Sequence, residues 1–236
     1  MMLGTAVAID VKRSLSLVSE IRESLDAFGL PARRVRLPRR RLFSLQEGAL
    51  SGLHLLIEGR AKLLRFSDGG RVILLDLVDA GDVFGEMSLV GDETMESSTY
   101  VEGITDSRVE TVSPLSMERI VARKPTLGLS IARLIGRRRI EIERRLLTQV
   151  FERVPLRLAR RLLCLAERYG LPEAAGGTLL DVALSQQDLA NWIGASREMV
   201  SLTLSDFRRR GALRSSGRKL VVDVTMLRAI EAGETA

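Results

Sequence analysis

The C-terminal fold is decided by the stretch SQQDLANWIGASREMVSLTLSDFRRRGAL at residues 185–213. Ser185 can accept hydrogen bonds from the free amides that open a helix, and an acidic side chain in the first turn suits the helix dipole. Apolar residues then recur at helical spacing until Gly194, which can end a helix because glycine reaches positive φ without strain. Ser196 can cap a second helix that runs to the next glycine. The stretch therefore predicts two helices joined by a tight turn.

A helix, a glycine turn and a second helix form the helix-turn-helix pattern, in which the second helix enters the major groove of DNA. Arg197 can form a bidentate pair with guanine, and Glu198 can accept a hydrogen bond from cytosine. Residues 215–219, SSGRK, lie between apolar runs and predict a wing hairpin. Residues 185–219 carry seven basic and three acidic side chains, a surplus that suits phosphate neutralisation. Duplex DNA is the predicted partner, and two ordinary surface helices with a solvated arginine cluster are the weaker interpretation.

The segments QDLA at 187–190 and IGASREMVS at 193–201 resemble the winged helix of the cyclic-AMP receptor protein/FNR (CRP/FNR) family of bacterial transcription regulators. The resemblance implies base contacts by Arg197 and Glu198. It implies phosphate contacts by Ser185, Gln187 and Ser196, and the basic residues behind them add Arg209 and Lys219. The family usually has an arginine where this chain has Leu202, and Ser201 beside it can still reach a base edge.

From residue 41 to 115 the apolar pattern has a period of two, with glycine at intervals. Many short strands at regular spacing predict a barrel or jelly roll. The predicted strands are residues 60–63, 72–75 and 109–112, with a hairpin turn, SDGG, at 67–70. Three glycine turns resemble those of the family's cyclic-nucleotide-binding barrel: EGR at 58–60, AGD at 80–82 and FGE at 84–86.

Helical spacing returns near residue 126 in a segment longer than most globular helices. Its apolar stripe, interrupted by Arg138, comprises Ile131, Ile135, Ile142, Leu146 and Val150. Because no second apolar face in the sequence covers this stripe, the helix is predicted to pair with its own copy. Packing against its own barrel is the alternative. Pro155 predicts a hinge, since the residue before a proline is pushed out of the helical region.

The expected fold class is therefore α+β. An N-terminal cyclic-nucleotide-binding-like β jelly-roll barrel covers residues 1–125, a dimerisation helix and hinge cover 126–153, and a C-terminal winged helix-turn-helix covers 154–236. The resemblance implies a transcription activator that binds an inverted repeat as a homodimer and contacts RNA polymerase. A kinase or channel regulatory subunit with the same barrel is another class of protein, but it would not need residues 185–219.

A barrel ahead of a DNA-binding unit suggests a sensed small molecule. In family members that bind cyclic AMP, a Gly-Glu pair holds the ribose and a later Arg-Ser pair holds the cyclic phosphate. Here Gly85 and Glu86 are present, but Glu96, Ser97 and Ser98 stand where Arg-Ser-Ala is expected. A carboxylate replaces a charge-assisted pair with repulsion, so the affinity for cyclic AMP should fall ~100-fold or more. These five residues form the candidate effector pocket, and we expect that no cofactor is required. Response to a cyclic nucleotide or another small molecule is the alternative.

His54 is the only histidine and Cys164 the only cysteine in the 236 residues. One chain can therefore form no disulfide and no cysteine-ligated iron–sulfur cluster, and a zinc site with several such ligands is not expected. His54 lies among apolar residues, which is more typical of a packed histidine than of a haem ligand. Cys164 on an apolar helix face predicts a buried structural thiol. No phosphate-cradling glycine loop or nucleophile elbow is present, so no enzyme is expected.

The overall charge and hydropathy agree with a DNA-binding protein. A net charge of +6 and a pI of 10.2 favour a polyanionic partner, while 4% aromatic residues argue against stacking on exposed bases. No apolar run reaches the ~20 residues of a membrane span, and the N-terminus lacks a signal-peptide core. We therefore expect a cytoplasmic protein without membrane contact.

Overall fold

The computed structural model describes residues 11–45, 51–89, 99–217 and 219–233, which belong to two compact units. The first unit ends at Glu141 and the second begins at Ile142. The division between the units falls inside one long helix. It lies within residues 126–153, which were predicted to form the dimerisation helix and hinge.

In the first unit, the described residues form two four-stranded antiparallel sheets, with strand orders β1-β8-β3-β6 and β2-β7-β4-β5. The strands are β1 (Arg33–Leu37), β2 (Leu42–Ser44), β3 (Leu53–Glu58), β4 (Arg60–Phe66), β5 (Val72–Asp79), β6 (Val83–Phe84), β7 (Thr99–Gly103) and β8 (Ser107–Val112). A 3₁₀ turn covers Glu86–Leu89. The predicted strands fall within β4, β5 and β8, so the period-two pattern identified them correctly.

The two sheets face each other across an apolar core, which gives the expected jelly roll. One sheet contributes Leu56, Phe84 and Val109, and the other contributes Ala61 and Val101. Successive side chains of a strand point to opposite faces, so these residues share the inner faces of the two sheets. In β3 the residues of the other face are buried as well, against a second core cluster.

Glycine is required at the turn that follows β6. Gly85 has φ of 78°, and a Cβ there would lie 2.4 Å from Cδ2 of His54. His54 is buried, its ring centroid lies 4.8 Å from that of Phe84, and its Nδ1 is 3.1 Å from the hydroxyl of Thr111. The histidine therefore packs inside the barrel, as the sequence predicted. In the β4–β5 hairpin, the positive φ of the predicted SDGG turn falls on Gly70.

Three helical segments cover the outer face of the β3-containing sheet: α1 (Val11–Phe28), α2 (Pro114–Arg123) and the start of α3 (Pro125–Phe151). Their shared core includes Ile21 of α1, Ile120 of α2 and Leu127 of α3. Ile131 is only 7% exposed within the same core. Its assignment to the dimerisation stripe was therefore wrong, because the first turns of α3 bury their apolar side against the barrel.

Arg138 interrupts the stripe of α3 because its side chain turns toward the barrel. Its guanidinium donates to the carboxylate of Glu86 and to the carbonyl oxygen of Val83, the latter at 2.5 Å. Burial has the largest single effect on the pKa of Arg138 and lowers it, but the charges of Glu86, Asp76 and Asp82 together raise that pKa above its ordinary value. The guanidinium therefore stays charged, and it is bound in a mostly buried position.

The second unit contains the end of α3, followed in its described residues by further helices and a sheet. The helices are α4 (Val154–Tyr169), α5 (Gln186–Ile193), α6 (Arg197–Arg209) and α7 (Val224–Glu231). The strands are β9 (Gly170–Pro172), β10 (Thr178–Leu180), β11 (Leu213–Ser216) and β12 (Lys219–Val222), in the order β11-β12-β10-β9. Helix α4 packs against α5, α6 and α7 and so supports the helix-turn-helix.

The break between α3 and α4 lies one residue earlier than the proline rule predicted. Arg153, with φ of −71° and ψ of 155°, is the extended residue, and Val154 already belongs to α4. Pro155 fits in the first turn because an amide there has no helical acceptor. On the same helix Cys164 is half-buried, so its predicted full burial was wrong.

Removing the charge of Glu86 should destabilise the barrel. We expect Glu86→Gln to lower the free energy of unfolding by about 2–3 kcal/mol, because the mostly buried Arg138 would lose its anionic partner. Urea denaturation followed by circular dichroism measures this change. The double variant Glu86→Gln/Arg138→Met should lose less than the sum of the two single variants.

The matched control for this ion pair is Glu58→Gln. Glu58 pairs with Arg108, but both side chains are more than half exposed. The change in unfolding free energy should therefore stay within about 0.5 kcal/mol. Equal effects at Glu86 and Glu58 would contradict a special role for the buried pair.

Candidate nucleic-acid interface

A complete capping box starts α5. The amide of Asp188 donates to the hydroxyl of Ser185 at 3.1 Å, and the carboxylate of Asp188 accepts from the amide and the hydroxyl of Ser185 at 2.8 and 2.7 Å. The predicted helix start is confirmed. A hydroxyl has one hydrogen to donate, and here Asp188 receives it. A phosphate contact by Ser185 therefore requires its hydroxyl to rotate, and this contact stays a prediction.

The turn between the two helices depends on Gly194, whose φ of 64° and ψ of 48° are left-handed. A Cβ at this position would lie 2.8 Å from Nε2 of Gln149, at the end of α3. Arg157 of α4 donates to the carbonyl oxygen of Ile193 at 2.8 Å, and Trp192 is buried beneath the guanidinium of Arg161 at 4.3 Å. The turn is thus held by the segments on which it packs, and the predicted glycine stop is confirmed.

Helix α6 buries one face and exposes the residues that were predicted to contact DNA. Its buried face comprises Val200, Thr203, Leu204 and Phe207. Arg197 and Glu198 are exposed in the first turn, and Ser201 is half-buried beside them. Ser196 caps the helix by accepting from the amide of Met199 at 3.1 Å, so its own hydrogen can still go to a phosphate oxygen.

The side chains that were predicted to contact phosphates differ in their exposure and in the partners they already bind. Arg209 is 80% exposed and pairs with Asp206, which also binds Arg210 at 2.9 Å. Lys219 pairs with Asp181 at 2.5 Å, so a phosphate has to compete with that carboxylate. Gln187 is exposed, and its amide donates to Asn191 at 2.8 Å with one of its two hydrogens.

The wing is formed by the antiparallel strands β11 and β12. Ser216 pairs with Lys219, and Gly217 in the loop has φ of 58°. Arg218 lies outside the described residues. The strands agree with the predicted wing, and the hairpin places Lys219 at its tip.

The candidate effector pocket is only partly within the described residues. Gly85 and Glu86 are described, and the carboxylate of Glu86 is bound by Arg138. Glu96, Ser97 and Ser98 lie outside the described residues. No local pattern indicated the Glu86–Arg138 pair, since its members are separated by 52 residues.

The C-terminal part of α3 exposes a dense apolar surface. Its members are Ile142, Leu146, Leu147, Val150 and Phe151, each at least 58% exposed. Ile142, Leu146 and Val150 were predicted for dimerisation, and Ile135 is 38% exposed. Leu147 and Phe151 were missed because they lie beside the stripe that the helical spacing defined. Among the described residues, no helix is both long and apolar enough to cross a membrane.

The jelly-roll barrel and the winged helix-turn-helix define the class of this protein. Comparisons with known proteins find the same two domains. The cyclic nucleotide-binding domain model matches residues 35–124, and the Crp-like helix-turn-helix domain model matches residues 156–230. A CRP-like cAMP-activated global transcriptional regulator of Mycobacterium tuberculosis is 33% identical over 72% of this chain and 75% of its own length. The chain belongs to the CRP/FNR family of transcription regulators.

Two further relatives extend this comparison. A global nitrogen regulator of Nostoc is 28% identical over 72% of this chain and 76% of its own length. The structure of the c-di-GMP responsive global regulator CLP of Xanthomonas campestris is 23% identical and has a TM-score of 0.72 over 85% of this chain and 98% of that one. The structure of CLP shows the shared fold, and the family match makes this protein a transcription regulator with a helix-turn-helix DNA-binding domain.

Proposed function

We propose that this regulator binds an inverted repeat in duplex DNA as a homodimer and needs no cyclic nucleotide to do so. The observation that carries the proposal is the first turn of α6, where Arg197 and Glu198 are exposed while the opposite face of the helix is buried. Ser196 caps this helix end, and the positive end of the helix dipole there favours a nearby phosphate.

The apolar end of α3 supports the homodimer. Soluble proteins seldom expose so many neighbouring large apolar side chains without a partner. Burial of each one contributes roughly 1.5–3 kcal/mol, which makes pairing with an identical helix favourable. A two-fold dimer presents two copies of α6, so the half-site centres should lie about one helical turn of DNA, ~34 Å, apart.

The sequence of the effector segment supports independence from cyclic AMP. The relative from Mycobacterium tuberculosis is named as cAMP-activated. The same response in this chain would need a cation for the cyclic phosphate where the resemblance places it, and Glu96 stands there. The carboxylate repels the phosphate, so a regulator controlled by its own abundance is favoured over a cyclic-nucleotide sensor.

Activation through contact with RNA polymerase and a cytoplasmic location are also part of the proposal. Both are supported by membership of a family of transcription regulators. Transcription in vitro from a promoter with the selected inverted repeat, with and without the protein, tests the direction of regulation. Fewer transcripts in its presence would make the protein a repressor at that site.

Two charges in the apolar end of α3 should break the dimer. We expect Leu146→Glu/Val150→Glu to sediment as a monomer, because pairing would bury carboxylates without partners. Analytical ultracentrifugation measures the change. Arg137→Glu is the matched control, since it adds negative charge at an exposed polar position of the same helix. If the double variant still sediments as a dimer, this surface is not part of the dimer interface.

Base contacts and phosphate contacts should respond differently to truncation. Arg197→Ala should cost ~1–3 kcal/mol of binding and relax selection at one base pair in each half-site. Arg209→Ala should weaken all sequences alike and reduce the salt slope by about 0.9 for each phosphate that is no longer neutralised. Fluorescence anisotropy with selected and scrambled duplexes over a range of salt separates the two. A specificity change in Arg209→Ala alone would reverse the assignments.

Cyclic AMP should not tighten DNA binding. At ~1 mM nucleotide we expect the dissociation constant for DNA to change by less than about twofold, because Glu96 repels the cyclic phosphate. Glu96→Arg should restore part of the response, and Glu93→Arg is the control for added positive charge in the same segment. Micromolar binding of cyclic AMP to the unmodified protein in calorimetry would contradict the proposal.

A further inference from the structure

Two apolar side chains stand on the exposed face of α6, among the residues proposed to contact DNA. Leu202 is 67% exposed and Met199 is 46% exposed. In the second unit, the other exposed large apolar side chains of the described residues are Leu171 and the cluster at the end of α3. Met199 is apolar, yet the structure turns it outward.

Two of the hydroxyl groups near Leu202 are used within the helix. The hydroxyl of Thr203 donates to the carbonyl oxygen of Met199 at 2.7 Å, and that of Ser205 donates to the carbonyl oxygen of Ser201 at 2.9 Å. The single hydrogen of the Ser205 hydroxyl is therefore bonded to the helix backbone. Leu202 is left as the most exposed side chain of this turn, and it offers only an apolar contact.

The major groove presents one apolar group, the methyl at carbon 5 of a pyrimidine, which thymine carries and cytosine lacks. Cytosine acquires the same group when it is methylated at carbon 5. We propose that Leu202, with Met199 beside it, selects a 5-methylpyrimidine in each half-site. This inference rests on the proposed function, because it takes α6 as the helix that enters the groove.

The helix geometry places this methyl group next to the bases contacted by the first turn. Glu198 and Leu202 are four residues apart and share one face, separated by about one pitch of 5.4 Å. Base pairs are stacked about 3.4 Å apart, so Leu202 faces a base pair one or two steps from the one that Glu198 contacts. The flexible thioether of Met199, three residues before Leu202, can cover the other side of the methyl group.

The surrounding charges fit this arrangement. Arg197 precedes the apolar pair, and Arg208 and Arg209 follow it on the exposed surface of α6. Cations at both ends can hold the phosphates that flank the groove, while the apolar centre lies against base edges. An apolar surface with cations on both sides is complementary to a groove that has phosphates at its edges and a methyl group on its floor.

The test compares four duplexes that differ at one base pair of each half-site, at the position where random-duplex selection gives a pyrimidine opposite Leu202. The pairs are T·A, U·A, 5-methylcytosine·G and C·G. Removing the methyl from thymine should weaken binding about fourfold in each half-site, the value of one buried methyl-sized group. The change from 5-methylcytosine to cytosine should be similar if the methyl alone is selected. If binding differs only between the T·A and U·A duplexes, the selected base is thymine and not 5-methylcytosine.

Variants link the methyl effect to the side chain. Leu202→Ala should bind the T·A and U·A duplexes equally and should bind the U·A duplex within about twofold of the unmodified protein. Met199→Ala should reduce the methyl effect without removing it. Ser205→Ala is the matched control and should keep the full effect, because its hydroxyl is bonded to the helix backbone.

Two outcomes would overturn the inference while leaving the proposed function intact. Equal binding of thymine and uracil duplexes at every position of the half-site would show that no methyl is selected. A methyl effect that persists in Leu202→Ala would assign it to another residue. Failure of selection to enrich any duplex would instead refute the proposed function itself, and this inference with it.

Discussion

The DNA-binding surface depends on the left-handed conformation of Gly194. This residue ends α5 and sets the direction in which α6 begins, and its missing side chain admits the amide of Gln149. Arg157 holds the carbonyl oxygen just before the turn. Because the turn is fixed from α3 and α4, the first turn of α6 presents Arg197 and Glu198 in a defined direction. Side chains that contact bases need this precision, since a bidentate pair tolerates little displacement.

Helix α3 serves two purposes that divide along its length. Its first turns bury Leu127, Ile131 and Leu134 in the barrel core. Its last turns expose apolar side chains, including Leu146 and Phe151, that the second unit does not cover. The apolar positions continue along the whole helix, but the barrel packs only against its first turns. The same helix is therefore buried at its start and exposed at its end. The helix is therefore part of the barrel at one end and an exposed apolar surface at the other.

The Arg138–Glu86 pair joins this helix to the turn that follows β6. A guanidinium in this mostly buried position needs its carboxylate, and the carbonyl oxygen of Val83 accepts a further hydrogen bond from it. The barrel thus keeps Gly85 and Glu86 in place as structural elements. Their presence in the sequence is consequently weak evidence for a bound nucleotide.

The sequence by itself determined the order of elements, because the signals were local. Caps at Ser185 and Ser196, the glycine stop at Gly194 and the period of two between residues 41 and 115 each depend on a few neighbouring residues. The same signals identified the wing and the residues exposed at the start of α6.

Only the tertiary structure decided which surfaces meet. Periodicity shows that Ile131 and Leu146 share a helix face, but it cannot tell that the barrel covers one and leaves the other exposed. The partners of Arg138 and Lys219 lie 52 and 38 residues away, so no local pattern indicates them. The outward turn of Met199 likewise follows from how α6 packs on α4. Burial and ion pairing are set by long-range packing. Residues that meet in this way are far apart in the chain, so no local sequence pattern identifies them.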